Sequence, residues 1–118
     1  MDITEIEDRI DMSLQADTRF DETVGPLQAG ESRVGKFLKT CEDKIRGELC
    51  QNGKLKAEWE NALKDDDLSQ LLKSLATSLL ALINPAFAAP TVAVLVALWL
   101  IRKGLNNWCS HPVDELLA

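Results

Sequence analysis

The residues in this chain best suited to chemistry are its three cysteines and single histidine: Cys41, Cys50, Cys109 and His111. Sulfur and imidazole are donors that zinc favours, and four is the number a closed tetrahedral site needs. The spacing argues against such a site. No tight Cys-x2-Cys pair occurs, and Cys41 falls on an apolar helical stripe, where it reads as a small core side chain. An odd number of widely spaced cysteines is also a poor disulfide framework. A Cys50–Cys109 bridge would require an oxidising compartment, so the expectation is free thiols in a reducing cytoplasm.

Asp65, Asp66 and Asp67 are carboxylates in a row that could in principle hold a metal. They stand directly before a helical segment, where acids suit the positive end of the helix dipole, so capping and solvation are the expected roles. His111 lies beside a proline in the tail. No Ser-His-Asp set, paired-carboxylate pattern or Gly-rich phosphate loop is present. The chain is therefore not expected to be an enzyme, and no catalytic, cofactor or metal residue is assigned.

The net charge of −6 is unevenly placed. Residues 1–31 carry nine acids against only Arg9 and Arg19, whereas residues 32–118 carry ten acids and eleven bases. An acidic N-terminal quarter repels phosphate, which argues against nucleic-acid binding, and it suits either solubility or docking on a basic partner. The most basic stretch holds Arg33, Lys36, Lys39, Lys44 and Arg46. Glu42, Asp43 and Glu48 interrupt it, and no aromatic residues interleave for base stacking, so it reads as a solvated face.

The elements that would carry these residues are helical. Leu, Ala, Lys and Glu dominate and Tyr is absent, a balance that favours helix over sheet. Ile3, Ile6, Ile10 and Leu14 recur at helical spacing between acids, with Asp2 as N-cap and Glu5 completing a capping-box-like start. This first helix is predicted to end near Thr18, and Gly25-Pro26 and Gly30 mark a linker behind it. A second helix begins at Ser32 and shows the stripe Val34, Phe37, Leu38, Cys41, Ile45, Leu49, ended by Asn52-Gly53. A third runs from about Leu55 to Lys64 with Leu55, Trp59, Ala62 and Leu63 inward.

The fourth helix, about Leu68 to Ile83, has Leu68, Leu71, Leu72, Leu75, Leu79, Leu82 and Ile83 on one side and polar residues on the other. That division is what a helix half in water requires. Asn84-Pro85 ends it. Pro90 suits the first turn of a fifth helix, apolar all round from Thr91 to Ile101 and closed by Arg102-Lys103. The tail beyond it, with Trp108, Cys109 and His111-Pro112, either docks or dangles.

From Ser74 to Ile101 no residue is charged, and so much apolar chain must be hidden in a core, a partner or a bilayer. A spanning helix needs about 20 apolar residues, and reaching that length here means crossing Pro85 and Pro90. The favoured fold is a small all-α bundle of about five helices, with an apolar central C-terminal helix (about 91–103) packed by amphipathic ones. The predicted organisation is residues 1–24 as an acidic docking arm and residues 31–118 as the bundle domain. The start is acidic and amphipathic, unlike a secretory leader.

The expected function is a non-catalytic protein–protein interaction module, an adaptor or regulatory subunit in the cytoplasm, using no cofactor. It would bind a protein partner or itself, as a homo-oligomer, through Ile3, Ile6, Ile10 and Leu14 of the acidic helix, with Trp108 at an interface. The alternative is a membrane-acting effector or toxin-like protein, membrane-associated, that inserts the hairpin 68–103 through Val92, Val94, Leu95, Leu98, Trp99 and Ile101. A small helical domain with an apolar last helix resembles several adaptor and pore-forming folds, in architecture alone.

Overall fold

The amphipathic periods of the sequence become helices that share one core. The computed structural model describes residues 2–16, 22, 25, 27–51, 54–64, 68–82 and 90–117. Within them the regular structure is helical: α1 (Ile3–Ala16), α2 (Arg33–Cys50), α3 (Lys54–Lys64), α4 (Leu68–Leu82), α5 (Pro90–Lys103), α6 (Leu105–Ser110) and α7 (Val113–Leu116). The five longer helices correspond to the five expected from periodicity. The two short ones, α6 and α7, fold the tail.

Local capping follows the residue types. Asp2 Oδ1 accepts from the Glu5 backbone N–H at 2.9 Å, and Ser32 Oγ accepts from that of Gly35 at 3.1 Å. Each satisfies one of the donors that a helix start leaves free. The start of α2 has a second cap that the local sequence does not show. Asp11, from α1, accepts the Val34 N–H at 3.0 Å. A carboxylate also suits the positive end of the α2 dipole. The expected stop at Asn52-Gly53, the Asp67 cap, the ends at Thr18 and Asn84-Pro85, the positions of Pro26 and Ile83, and the side chain of Leu63 lie outside the described residues.

The core gathers Ile6, Ile10 and Leu14 of α1, the whole predicted stripe of α2, Leu55, Trp59 and Ala62 of α3, and Leu71, Leu75 and Leu79 of α4. Helix α5 packs on α4, α1 and α6, while α3 bridges α2 and α4. Val92, Ala93, Leu95, Val96, Ala97, Trp99 and Leu100 of α5 are buried. The helix is not sheathed all round, however: Val94 is 40% exposed. An apolar surface wider than its neighbours cover leaves one edge open. Leu68, expected inward, is 50% exposed because it occupies the first turn of α4, beyond the reach of the core.

Helix α5 stops at Gly104, whose φ is +90°. Side-chain-bearing residues rarely adopt that conformation, and it turns the chain sharply into α6. The tail therefore docks. Trp108, Val113 and Leu116 are all buried, and α6 and α7 both pack on α2. Leu117, just after α7, packs over Gly35 of α2, where a Cβ would come within 2.9 Å of its Cδ1.

Candidate functional site

Three places in the fold bear on function: the face of α1, a groove beside α4 and α5, and the contact between the tail and α2.

Helix α1 does not offer its apolar stripe to a partner. Ile6, Ile10 and Leu14 are buried in this chain's own core, and Ile3 is partly buried against it. This corrects the expectation that the stripe is a free docking surface. The stripe has the period and width that α5 and α2 need on this side, and burying it removes far more apolar area from water than exposure would allow. Two polar contacts fix the seam. One is the Asp11 cap on α2. In the other, Trp99 Nε1 donates to Glu7 Oε2 at 2.9 Å, with Glu7 only 7% exposed. A buried carboxylate needs such a donor, because burial without one costs several kcal/mol on the order of its lost hydration. What α1 does present outward is Glu5, Asp8, Arg9, Met12 and Gln15. Met12 is 66% exposed, the most exposed large apolar side chain among the described residues.

The groove has a volume of about 980 Å³ and lies between α3, α4, α5 and the start of α6. Trp59, Leu68, Leu71, Leu72, Leu98, Ile101 and Leu105 give it apolar walls, and Glu60, Ser69, Arg102 and Asn106 edge it. Asn107, at the same edge, donates through Nδ2 to the Lys103 carbonyl at 2.7 Å. Of the residues expected to enter a bilayer, Leu98 and Ile101 are partly buried here. Val92, Leu95 and Trp99 are core, and Val94 is open. Among the described residues no helix is long and apolar enough to cross a membrane.

The tail contact brings the cysteines together in a way the sequence reading did not favour. Cys50, the last residue of α2, is disulfide-bonded to Cys109 of α6, with Cα atoms 5.6 Å apart. The expectation of three free thiols is thereby corrected: 59 residues of separation hid a pairing that docking of α6 on α2 creates. Cys41 stays a free thiol, buried, its Sγ–H donating to the Phe37 carbonyl at 3.3 Å. Burial pushes the thiol pKa up to about 12, so it is protonated and inert at neutral pH. With two sulfurs joined to each other, Cys41 and His111 are the remaining donors of the four. Among the described residues no group of three or more His, Cys, Asp or Glu side chains converges to hold a metal. Asp65, Asp66 and Asp67 lie outside the described residues.

Beside the disulfide, Arg46 reaches across from α2. Its guanidinium sits 4.6 Å above the Trp108 ring and donates to the backbone carbonyls of Trp108 and His111. Glu42, one turn earlier, lies 3.6 Å from Arg46 Nε. The Trp108 ring also meets Trp99 edge-on, with centroids 5.8 Å apart. Trp108, expected at an interface, is fully buried within the chain, with Trp99 and Arg46 both packed against its ring. His111 Nδ1 lies 3.0 Å from Glu115 Oε2, an exposed pair one turn apart. Arg46, read from sequence as part of a solvated face, is the residue whose role was least visible. Its signal was its i+4 spacing to both Glu42 and Cys50, which puts all three on one line of α2. Comparisons with protein-family models, with curated proteins and with solved structures find no match for this chain.

Proposed function

We propose that this chain is a non-catalytic helical interaction module, an adaptor or regulatory subunit, that docks a protein partner or a second copy through α1. The observation that carries the reading is Met12, 66% exposed on a helix face edged by Glu5 and Asp8. The buried stripe supports it in a way the sequence did not anticipate. Ile6, Ile10 and Leu14 hold α1 rigidly on the bundle, so its outer face is presented in a fixed shape and little ordering entropy opposes binding. The partner chemistry that fits is a basic surface with an apolar recess for one methionine, and its association would weaken with salt.

A photo-crosslinking side chain at position 12 should give one discrete adduct in the producing cell, or a dimer band. Glu5→Lys with Asp8→Lys should abolish it without changing the helical circular dichroism. A chain that gives no adduct and runs as a monomer by light scattering at every concentration defeats this reading.

A second reading, a membrane-acting effector that inserts the hairpin 68–103, is favoured by one specific observation. Of the exposed large apolar residues among those described, Leu68, Leu80 and Val94 all belong to that hairpin. Helix α5, at 14 residues, is roughly 21 Å long at 1.5 Å per residue. A bilayer core is about 30 Å thick, so insertion requires the hairpin to leave the bundle and extend. Dye release from anionic vesicles supports this reading, and intact vesicles at micromolar protein sink it.

The Cys50–Cys109 bond bears on location. Such bonds persist in oxidising compartments and are rare where thiols are kept reduced. It counts against the cytoplasmic expectation and favours an oxidising one.

A further inference from the structure

Residues 104–117 form a strap that leaves α5 at Gly104 and closes over α2. Its helices, α6 of six residues and α7 of four, are too short to persist without something to pack on. The ties to α2 are the Cys50–Cys109 bond, the Arg46 contacts to Trp108 and His111, and an exposed Lys39–Asp114 ion pair at 2.9 Å. Apolar burial of Trp108, Val113 and Leu116 adds to them.

Three observations make the covalent tie the deciding one. Cys109 is exposed and Cys50 is only half-buried, so a reductant can reach the bond, and accessible disulfides are the labile class. Trp108 Nε1 is buried without a hydrogen-bond partner among the described residues, so lifting the ring out restores a donor to water. Gly104, at φ +90°, is a turn at the strap's root. Gly104, Leu105, Asn106 and Asn107 also form one wall of the groove, so a movement of the strap is a movement of that wall.

We propose that the Cys50–Cys109 disulfide is a redox latch: opened by a dithiol reductant, it lets residues 105–117 swing about Gly104 off α2, baring Trp108 and widening the groove. The chemistry is a two-electron exchange. A reductant thiolate attacks the Cys109 sulfur, forming a mixed disulfide and expelling Cys50 as a thiolate, which takes up a proton. The reductant's second thiol then attacks its own sulfur in the mixed disulfide and leaves as the cyclic disulfide. Cys109 departs as the second thiol. Cys41, buried and protonated, takes no part.

The test uses the intact chain, oxidised and after dithiothreitol treatment, followed by hydrogen exchange resolved by peptide and by acrylamide quenching of tryptophan emission. The expected result is exchange at least tenfold faster in residues 105–117 on reduction, with α1 to α5 still protected. Emission should shift to the red, and re-oxidation should restore both. Alkylation of the reduced native protein should add two groups, at Cys50 and Cys109, and spare Cys41. Cys109→Ser without reductant should reproduce the reduced pattern; if it does not fold, the reduced wild type decides. Two results overturn the latch: unchanged protection of 105–117 in the reduced chain, which makes the bond a passive staple, or loss of protection throughout, which makes it a global one.

Discussion

The two ends of this chain pack on the same pair of helices, α2 and α5, and are held there by different means. The N-terminal α1 is held by period: three buried aliphatic side chains, with Asp11 and Glu7 pinning its two edges. The C-terminal strap has too few turns for a stripe, and it is held by a cross-link, an arginine and isolated buried side chains. Fourteen regularly patterned residues can supply enough apolar contact to dock by themselves, whereas two helices of six and four residues need a covalent or ionic tie. The difference assigns the ends different capacities. α1 is fixed by its own apolar packing, whereas the strap depends in part on a bond that a reductant can break.

The largest effect is expected at α1. Deleting residues 1–24 removes Ile6, Ile10 and Leu14 from the core. Each such loss is worth about 2–5 kcal/mol, against a total stability on the order of 5–15 kcal/mol, so cooperative unfolding should vanish from urea titrations. A truncated chain with a sharp transition would show that α1 is an appendage after all.

The strap should matter less to the whole. Cys109→Ser is expected to lower stability by about 2–4 kcal/mol in the same titrations while leaving a cooperative transition. A loss as large as that of the α1 deletion would erase the distinction drawn between the two ends.

Within the α1 seam, Glu7→Ala leaves the Trp99 N–H buried and unpaired, at a cost of about 1–3 kcal/mol. Glu7→Gln keeps an acceptor oxygen and should cost less. If the two variants unfold at the same urea concentration, the hydrogen bond contributes nothing and packing alone holds the helix.

The gentlest probe is pH. The Cys41 thiol ionises near 9.0 when unfolded and at about 12 when folded. Between those values the folded chain keeps a proton that the unfolded chain releases, so this group favours unfolding increasingly as pH rises. Its contribution is fully present below pH 9 and falls by at most about 1.4 kcal/mol per pH unit above it. The difference in stability between wild type and Cys41→Ala should change along that slope; a constant difference would mean that Cys41 ionises without leaving the core.

Several elements were legible because their signals are local. The stripe Val34, Phe37, Leu38, Cys41, Ile45, Leu49 is buried in full, and Asp2 and Ser32 cap the helices they precede. Cys41 reads correctly as a core residue from its place on that stripe. The candidate sites were far less legible. An amphipathic stripe has the same period whether it faces a core or a partner, so the period of Ile6, Ile10 and Leu14 reads as a docking face although the three side chains are buried in the core. A tryptophan such as Trp108 is equally at home in either setting. The Cys50–Cys109 pairing, the reach of Arg46 to the tail and the Asp11 cap on α2 join residues far apart in the chain, and no short-range pattern encodes them.

Taken alone, the order of residues determined that this chain is helical, where the main helices lie and which side of each is apolar, because periodicity and capping act within a few turns. Only the tertiary structure decided which apolar sides meet one another, that the edge of α5 at Val94 stays open, and that two of the three cysteines join. Those outcomes depend on how elements distant in sequence are brought together, and that is settled by competition for burial across the whole chain.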